Sequence, residues 1–311
     1  MQKPEVLIVD VVHPMVIPGL EKLGYSCINC HEKSKDEIIA LLPSATGIII
    51  RHRFSLDGEF LAHAYNLKWI GRSGVGLDAV DVEYCESKQI KVLNAAGGNA
   101  AAVGEHVVGM ILSLLNHLNR ADEEIRRGQW NREANRGKEL GSLTIGIIGY
   151  GHTGSALAQR LQGFGCKILA YDKYSEVYGP HAIKSSLEEI YQLADIVSFH
   201  VPLNEETRHY FDERFLMKMR KPFYLFNASR GPVANMNSIA EGIRQGKLLG
   251  VGLDVLEEEP KDEGVLNLDD KDLKYLLGSD KVLFSPHIAG WTMESYENLA
   301  QVLLDRIAEI S

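Results

Sequence analysis

Cysteine is scarce, with only Cys27, Cys30, Cys85 and Cys166 in 311 residues. A chain this long with so few thiols carries no disulfide framework. The stretch "CINC" has half of a zinc-site spacing, but no second pair follows. On a strand, residues three apart point to opposite faces, so these thiols would not share a metal and no metal site is expected. Long apolar runs are also missing, and none approaches the length that crosses a bilayer. The opening "MQKPEVLIVD" enters a strand-like pattern at once, without the basic-then-apolar layout of a signal peptide. A cytoplasmic location without membrane contact is therefore expected. Positive charge is in deficit, with 33 Lys and Arg against 42 Asp and Glu and a formal charge of −9. With no basic stripe, nucleic acid is not an expected partner, and an anionic ligand must be held by a local cluster of donors.

The length exceeds one ordinary core and implies two domains. Early β-branched runs, "VLIV" (6–9), "GIII" (47–50), "LKWIG" (67–71) and "IKVL" (90–93), alternate with helical patterns. A second set follows: "LTIGIIG" (143–149), "KILAYD" (167–172), "DIVSFHVP" (195–202), "PFYLFNA" (222–228), "LLGVGLDV" (248–255) and "KVLFSP" (281–286). Such alternation predicts an α/β fold with two parallel sheets covered by helices, the second of them doubly wound. Between the sets lies "GNAAAVGEHVVGMILSLLNHLNRADEEIRRG", a long helical stretch whose first half is apolar nearly all round. It must be buried in a core or against another subunit. The chain closes on an amphipathic helix, "MESYENLAQVLLDRIAEI".

"TIGIIGYGHTGSALAQRL" places Gly149-x-Gly151-x-x-Gly154 after a strand and before a helix. Gly149 permits the tight turn, Gly151 lets the backbone approach a pyrophosphate, and Gly154 lets the helix pack closely on the sheet. The next strand ends in Asp172, an acid placed to accept from adenosine ribose hydroxyls and to repel a 2′-phosphate, which favours NAD; Lys173 beside it weakens that preference. Ligands of open α/β sheets meet the carboxyl ends of the strands, where Val201, Pro202, Ala228, Ser229, Arg230 and Asp254 stand.

Three polar residues fall beyond further strand ends of the second set: Arg230 in "NASRGPV", a glutamate among Glu257, Glu258 and Glu259, and His287 in "SPHIAGW". Together they suit one chemistry. A histidine titrating near neutrality removes the proton of a secondary alcohol as hydride leaves for a nicotinamide, and returns it in reduction. A carboxylate orients the ring and favours the imidazolium, while a forked guanidinium holds the substrate carboxylate. Spacing alone does not choose among the three glutamates.

The series "GYGHTG", "HVPLNEET", "NASRGPV", "GLDVLEEEP" and "SPHIAG" resembles, in order and spacing, the motifs of the D-isomer-specific 2-hydroxyacid dehydrogenase family, from about Gly47 to Gly290. The resemblance implies Arg230 as substrate clamp, Glu259 as the partner of the histidine, and His287 as acid/base. It implies a Rossmann-type NAD domain over 95–285 and a discontinuous, flavodoxin-like substrate domain over 1–94 and 286–311. The implied cofactor contacts are Val75, Val103, Gly149, Gly151, His152, Thr153, Gly154, Asp172, His200, Val201, Pro202, Thr207, Ala228, Ser229, Arg230, Asp254, His287, Ala289 and Gly290. "GRSGVGLDAVD" resembles the family's substrate loop, with the N–H groups of Ser73, Gly74 and Val75 receiving a carboxylate. A homodimer through the long helix is also implied. His152, Thr153 and Gly104 depart from the usual family residues, and Ser229 adds a hydroxyl where alanine is common.

Within the family, "IIIRHRF" and "IGRSGVGLDAVD" most resemble the 3-phosphoglycerate dehydrogenases, in a short form without the C-terminal regulatory domain. Arg51 and Arg53 are candidates for a substrate phosphate, as are Arg132 or Arg136 from a partner subunit. Hydroxypyruvate or glyoxylate reduction is the neighbouring reading. Formate oxidation is disfavoured, because that branch carries glutamine beside the histidine. An NAD-binding regulator without turnover is the alternative from another class.

Overall fold

The computed structural model describes residues 3–260 and 264–311. They divide into two compact units, Met1–Asn99 with Thr292–Ser311, and Ala100–Trp291.

The first unit runs β1 (Glu5–Ile8), α1 (Val16–Lys22), β2 (Ser26–Asn29), α2 (Lys35–Leu41), β3 (Ala45–Ile50), α3 (Gly58–Leu61), β4 (Trp69–Arg72), α4 (Val82–Ser87) and β5 (Lys91–Asn94). The sheet is parallel, in the order β2-β1-β3-β4-β5. That is the flavodoxin-like winding. Successive residues of β1 feed two cores: Leu7 joins Ile48 and Ile50 on one face, while Val6 and Ile8 join Ile49 and Trp69 on the other. The last helix of the chain, Met293–Ala308, covers that second face with Leu299, Leu303 and Ile307. Strand β2 runs through the "CINC" stretch as an edge strand with no fully buried residue, which is why no apolar run marks it. Its cysteines are free thiols.

The second unit runs α5 (Ala100–Leu115), α6 (Leu118–Arg126), β6 (Thr144–Ile148), α7 (His152–Arg160), β7 (Lys167–Tyr171), β8 (Ile183–Lys184), α8 (Leu187–Leu193), β9 (Ile196–Phe199), α9 (Glu213–Lys218), β10 (Phe223–Asn227), α10 (Met236–Arg244), β11 (Leu248–Leu253), α11 (Lys271–Leu277) and β12 (Val282–Phe284). Its parallel sheet has the order β12-β11-β10-β9-β6-β7-β8. This is the Rossmann winding, with the switch point between β6 and β9. The six expected strands are all present; the seventh, β8, is an exposed edge of two residues.

The long helical stretch is not one helix. Helices α5 and α6 meet at an angle of 60°. The break is at His117, whose backbone is left-handed (φ 53°). Val107, Met110, Ile111 and Leu115 of α5 are buried in the second unit's core, whereas α6 buries no residue. Among the described residues no single helix is long and apolar enough to cross a membrane.

The units divide after Asn99 and after Trp291, not after residues 94 and 285. The first difference arises because the turn after β5 belongs with the last helix: a Cβ at Gly98 would lie 2.9 Å from the Cα of Leu299. The second arises because Ser285, Ile288 and Ala289 are hydrogen-bonded to Asp254, which keeps the segment around His287 in the second unit.

Helices α5 and α7 cross closely at Gly104, where a Cβ would lie 3.0 Å from backbone atoms of Ala156 and Leu157. Overpacking of this kind costs about 1–3 kcal/mol. Gly104→Val should therefore lower the melting temperature by several degrees in a thermal unfolding experiment, since each kcal/mol is worth roughly 2–4 °C in a domain of this size.

Candidate active site

The glycine loop follows β6. Gly149 has φ 91°, and a Cβ there would lie 2.7 Å from the His200 backbone, so the turn accepts only glycine. Gly154 is buried in the first turn of α7, with its missing Cβ 2.1 Å from the Gly149 carbonyl oxygen. Space opposite Gly151 is open. No side chain caps the N-terminus of α7, so its first N–H groups are available to an anion beside the loop. An open cradle at a helix N-terminus is what a pyrophosphate requires, and these residues fit a dinucleotide.

Asp172 ends β7. Burial alone would raise its pKa, but the N–H groups of Tyr174, Tyr150 and Ser175 outweigh burial and hold it below the ordinary carboxylate value. The acid thus joins the glycine loop to its own turn while staying ionised. Lys173 is paired with Glu206 at 2.7 Å, which draws its charge toward an acid. Tyr178 stacks on Tyr150 and receives the Asp172 N–H on its hydroxyl.

Several other expected cofactor residues turn inward. His200 is buried between Ser198 Oγ (2.8 Å) and Thr153 Oγ1 (3.1 Å), and burial pushes its pKa down to about 4, so the ring is neutral. Thr207 donates to the Pro202 carbonyl at 2.6 Å and accepts from the Asn204 N–H at 2.8 Å, closing the loop that starts at Val201. Val103 and Ala289 are buried in the core beneath, with Ala228 packed against it. Sequence reasoning did not mark Asn227, which is buried at the end of β10. It donates to the Arg230 carbonyl and accepts from the Ser229 N–H and hydroxyl, shaping the turn that carries Arg230.

Asp254 follows β11 and is 1% exposed. Its carboxylate accepts from Ser285 Oγ (2.6 Å), the Ile288 N–H (2.9 Å) and the Ala289 N–H (2.8 Å), and its carbonyl from the His287 N–H (2.7 Å). It clamps a loop and does not face open space. Inside that loop His287 has φ 54°. A left-handed conformation costs a non-glycine residue roughly 1–2 kcal/mol, and the surrounding bonds hold it there.

From that backbone the ring of His287 reaches Glu259, with Nδ1 2.8 Å from Oε2. Glu259 Oε1 also accepts the Leu256 N–H at 3.2 Å. The neighbouring glutamates differ: Glu257 is bound to His209 Nε2 (2.5 Å) and the Met236 N–H (2.9 Å), while Glu258 is exposed. Geometry thus separates three acids that spacing does not. The Glu259 hydrogen bond raises the His287 pKa above its ordinary value, against burial and the positive charge of Arg230, which lower it. With its side chain 48% exposed, the ring remains accessible beyond the Glu259 bond. Arg230 Nη1 donates to the Ser229 carbonyl at 2.8 Å.

In the first unit, Asp10 beyond β1 accepts the N–H groups of Arg51 (3.0 Å), His52 (2.7 Å) and Arg53 (2.9 Å), another acid that sequence reasoning did not mark. The Arg53 guanidinium is engaged by the carbonyls of Val9, Cys30 and Lys33, so it braces the fold and does not present itself to a phosphate. Burial lowers the pKa of Arg51. Ser73 and Gly74 donate their N–H groups to the carbonyls of Ile50 and Arg72 at 2.7 and 2.8 Å, and the Val75 carbonyl accepts Asn94 Nδ2. Two of the three N–H groups expected to receive a substrate carboxylate thus have partners within the unit. Arg136 pairs with Glu133 on the surface, and Arg132 is exposed.

The chain resembles known proteins in sequence and in fold. Residues 108–289 match the D-isomer specific 2-hydroxyacid dehydrogenase, NAD binding domain. The chain is 33% identical over 273 residues to hydroxypyruvate reductase of Thermotoga maritima, covering 88% of this chain and 87% of that one. It is 30% identical to D-3-phosphoglycerate dehydrogenase of Methanocaldococcus jannaschii, covering 98% of this chain but 57% of that longer protein. The crystal structure of D-lactate dehydrogenase from Aquifex aeolicus, complexed with NAD and lactic acid, superimposes with a TM-score of 0.82 at 28% identity, covering 98% of this chain and 95% of that one. With its glycine loop and NAD-binding domain, the chain belongs to the D-isomer-specific 2-hydroxyacid dehydrogenase family and is an NAD-dependent oxidoreductase.

Proposed function

We propose that the chain interconverts a D-2-hydroxy acid and its 2-keto acid with Arg230, Glu259 and His287 as the working residues, and that the keto acid is 3-phosphohydroxypyruvate. The observation that carries the assignment of roles is the 2.8 Å bond between His287 Nδ1 and Glu259 in the same unit as the glycine loop. NAD, which Gly149, Gly151, Gly154 and Asp172 would hold, would supply the hydride acceptor or donor. In oxidation His287, with its Nδ1–H donated to Glu259, takes the hydroxyl proton on Nε2. In reduction the imidazolium returns that proton to the keto oxygen. Glu259 stabilises the charged ring in both directions, and Arg230 fixes the carboxylate through its forked donors.

The phosphorylated substrate rests on the likeness to D-3-phosphoglycerate dehydrogenase, with Arg51 as the candidate phosphate contact. Hydroxypyruvate or glyoxylate is the second reading, favoured by the engagement of Arg53 within the fold and by the Thermotoga relative. We include a homodimer in the proposal, supported by the exposed Leu118, Ile125 and Trp130 on and after α6. Initial rates with 3-phosphohydroxypyruvate, hydroxypyruvate, glyoxylate and pyruvate against NADH and NADPH test the substrate. Turnover fastest with an unphosphorylated acid selects the second reading.

His287→Ala should cut turnover by about 10²–10⁴-fold while NADH binding, followed by fluorescence titration, is retained; unchanged turnover removes the histidine from the chemistry. Because Glu259 raises the His287 pKa, the protonated ring that reduction needs persists above the ordinary histidine range and is lost as pH rises through the raised value. Glu259→Gln should therefore move the alkaline limb of the reduction profile to lower pH, and an unmoved limb contradicts the pairing. Asp172→Asn should narrow the preference for NADH over NADPH, read as the ratio of kcat/KM values; an unaltered ratio removes Asp172 from cofactor selection.

A further inference from the structure

His106, in the second turn of α5, plays no part in the chemistry described above, yet its Nε2 lies 2.9 Å from Ser285 Oγ and 3.5 Å from Asp254 Oδ1. We propose that His106 is a positioning residue for the reaction, holding His287 in its active orientation through Ser285 and Asp254. This rests on the reading of His287 as the acid/base.

The direction of each bond follows from counting protons. The Ser285 hydroxyl has one proton and donates it to Asp254 Oδ1 at 2.6 Å. Its oxygen is then an acceptor toward His106, so Nε2 carries the ring proton in the 2.9 Å contact. The chain of donation runs His106 Nε2–H to Ser285 Oγ–H to Asp254 Oδ1, and the same oxygen receives the Ile288 N–H. Oδ2 receives the Ala289 N–H. The contacts thus bracket His287 on both sides, at 285 and at 288–289, with its own N–H on the Asp254 carbonyl.

A histidine at φ 54° stays there only while its neighbours determine the backbone, and it is from that backbone that the ring reaches Glu259. His106 is the one member of this network that comes from α5, whose Val107, Met110 and Ile111 are buried in the core. It therefore references the loop to a rigid helix instead of to another loop. Loss of the Nε2–H frees the Ser285 hydroxyl to rotate and loosens one of the bonds on Asp254. The expected consequence is displacement of the imidazole, which affects proton transfer and not cofactor binding.

The test uses His106→Ala, His106→Gln, Ser285→Ala and the His106→Ala/Ser285→Ala double variant, in reduction of the best keto acid with NADH. His106→Ala should lower kcat between about ten- and a hundredfold with the KM for NADH unchanged, as expected for a small misplacement of a reacting group. His106→Gln, whose amide N–H can replace the Nε2–H, should recover most of the loss. The double variant should be no slower than the slower single one, because both act through one path. Wild-type kcat in His106→Ala, no recovery in His106→Gln, or multiplying losses in the double variant each overturn the proposal. His287→Ala run alongside separates the two claims. If it is slow while His106→Ala is normal, only the positioning role fails; if it turns over normally, the acid/base reading fails.

Discussion

The buried carboxylate of Asp254 is the constraint on which the site depends. Strands β10, β11 and β12 are parallel neighbours in register, Asn227 beside Leu253 and Leu253 beside Phe284. The residues just beyond them therefore emerge side by side. Asp254 then joins these ends: its N–H donates to the Asn227 carbonyl, and its carboxylate gathers Ser285, Ile288 and Ala289. A charge so deeply buried requires several donors to offset lost hydration. Supplying them fixes the loop, and fixing the loop holds His287 in a backbone conformation that directs its ring to Glu259. The polar geometry is thus a consequence of satisfying one anion at the end of one strand.

The same device appears twice more. Asp10 beyond β1 and Asp172 beyond β7 each collect backbone N–H groups from an adjoining loop. In both, burial would favour the neutral acid, and the N–H donors reverse that and lower the pKa. An aspartate after a parallel strand serves because the strand's last residues point into the core while the next must meet chain leaving a neighbouring strand. In the proposed function Asp172 would also meet the cofactor, since its lone pairs are not exhausted by the N–H groups that orient it.

The parallel architecture was legible because buried strands announce themselves as continuous apolar runs, as in "GIII" and "FYLFN". Two of the four edge strands do not. Ser26–Asn29 and Ile183–Lys184 have one neighbour each and little buried surface, so they carry no apolar signature. The break between α5 and α6 was hidden for a different reason: His117 adopts φ 53° without glycine or proline to mark it. Among Glu257, Glu258 and Glu259, identical side chains meet three different surroundings, and a sequence does not carry surroundings.

By itself the sequence determined two sets of parallel-type strands alternating with helices, the glycine turn with its following acid, and the residue types capable of acid–base work. These depend on periodicity and on residues near one another in the chain, where local geometry translates directly into structure. Tertiary structure alone decided that His106, on a helix 179 positions before Ser285, would meet it. It alone decided that Arg53 would brace three carbonyls, and that Glu259 and not Glu257 would face the histidine. Those outcomes depend on which strand ends lie side by side, a property of the folded sheet.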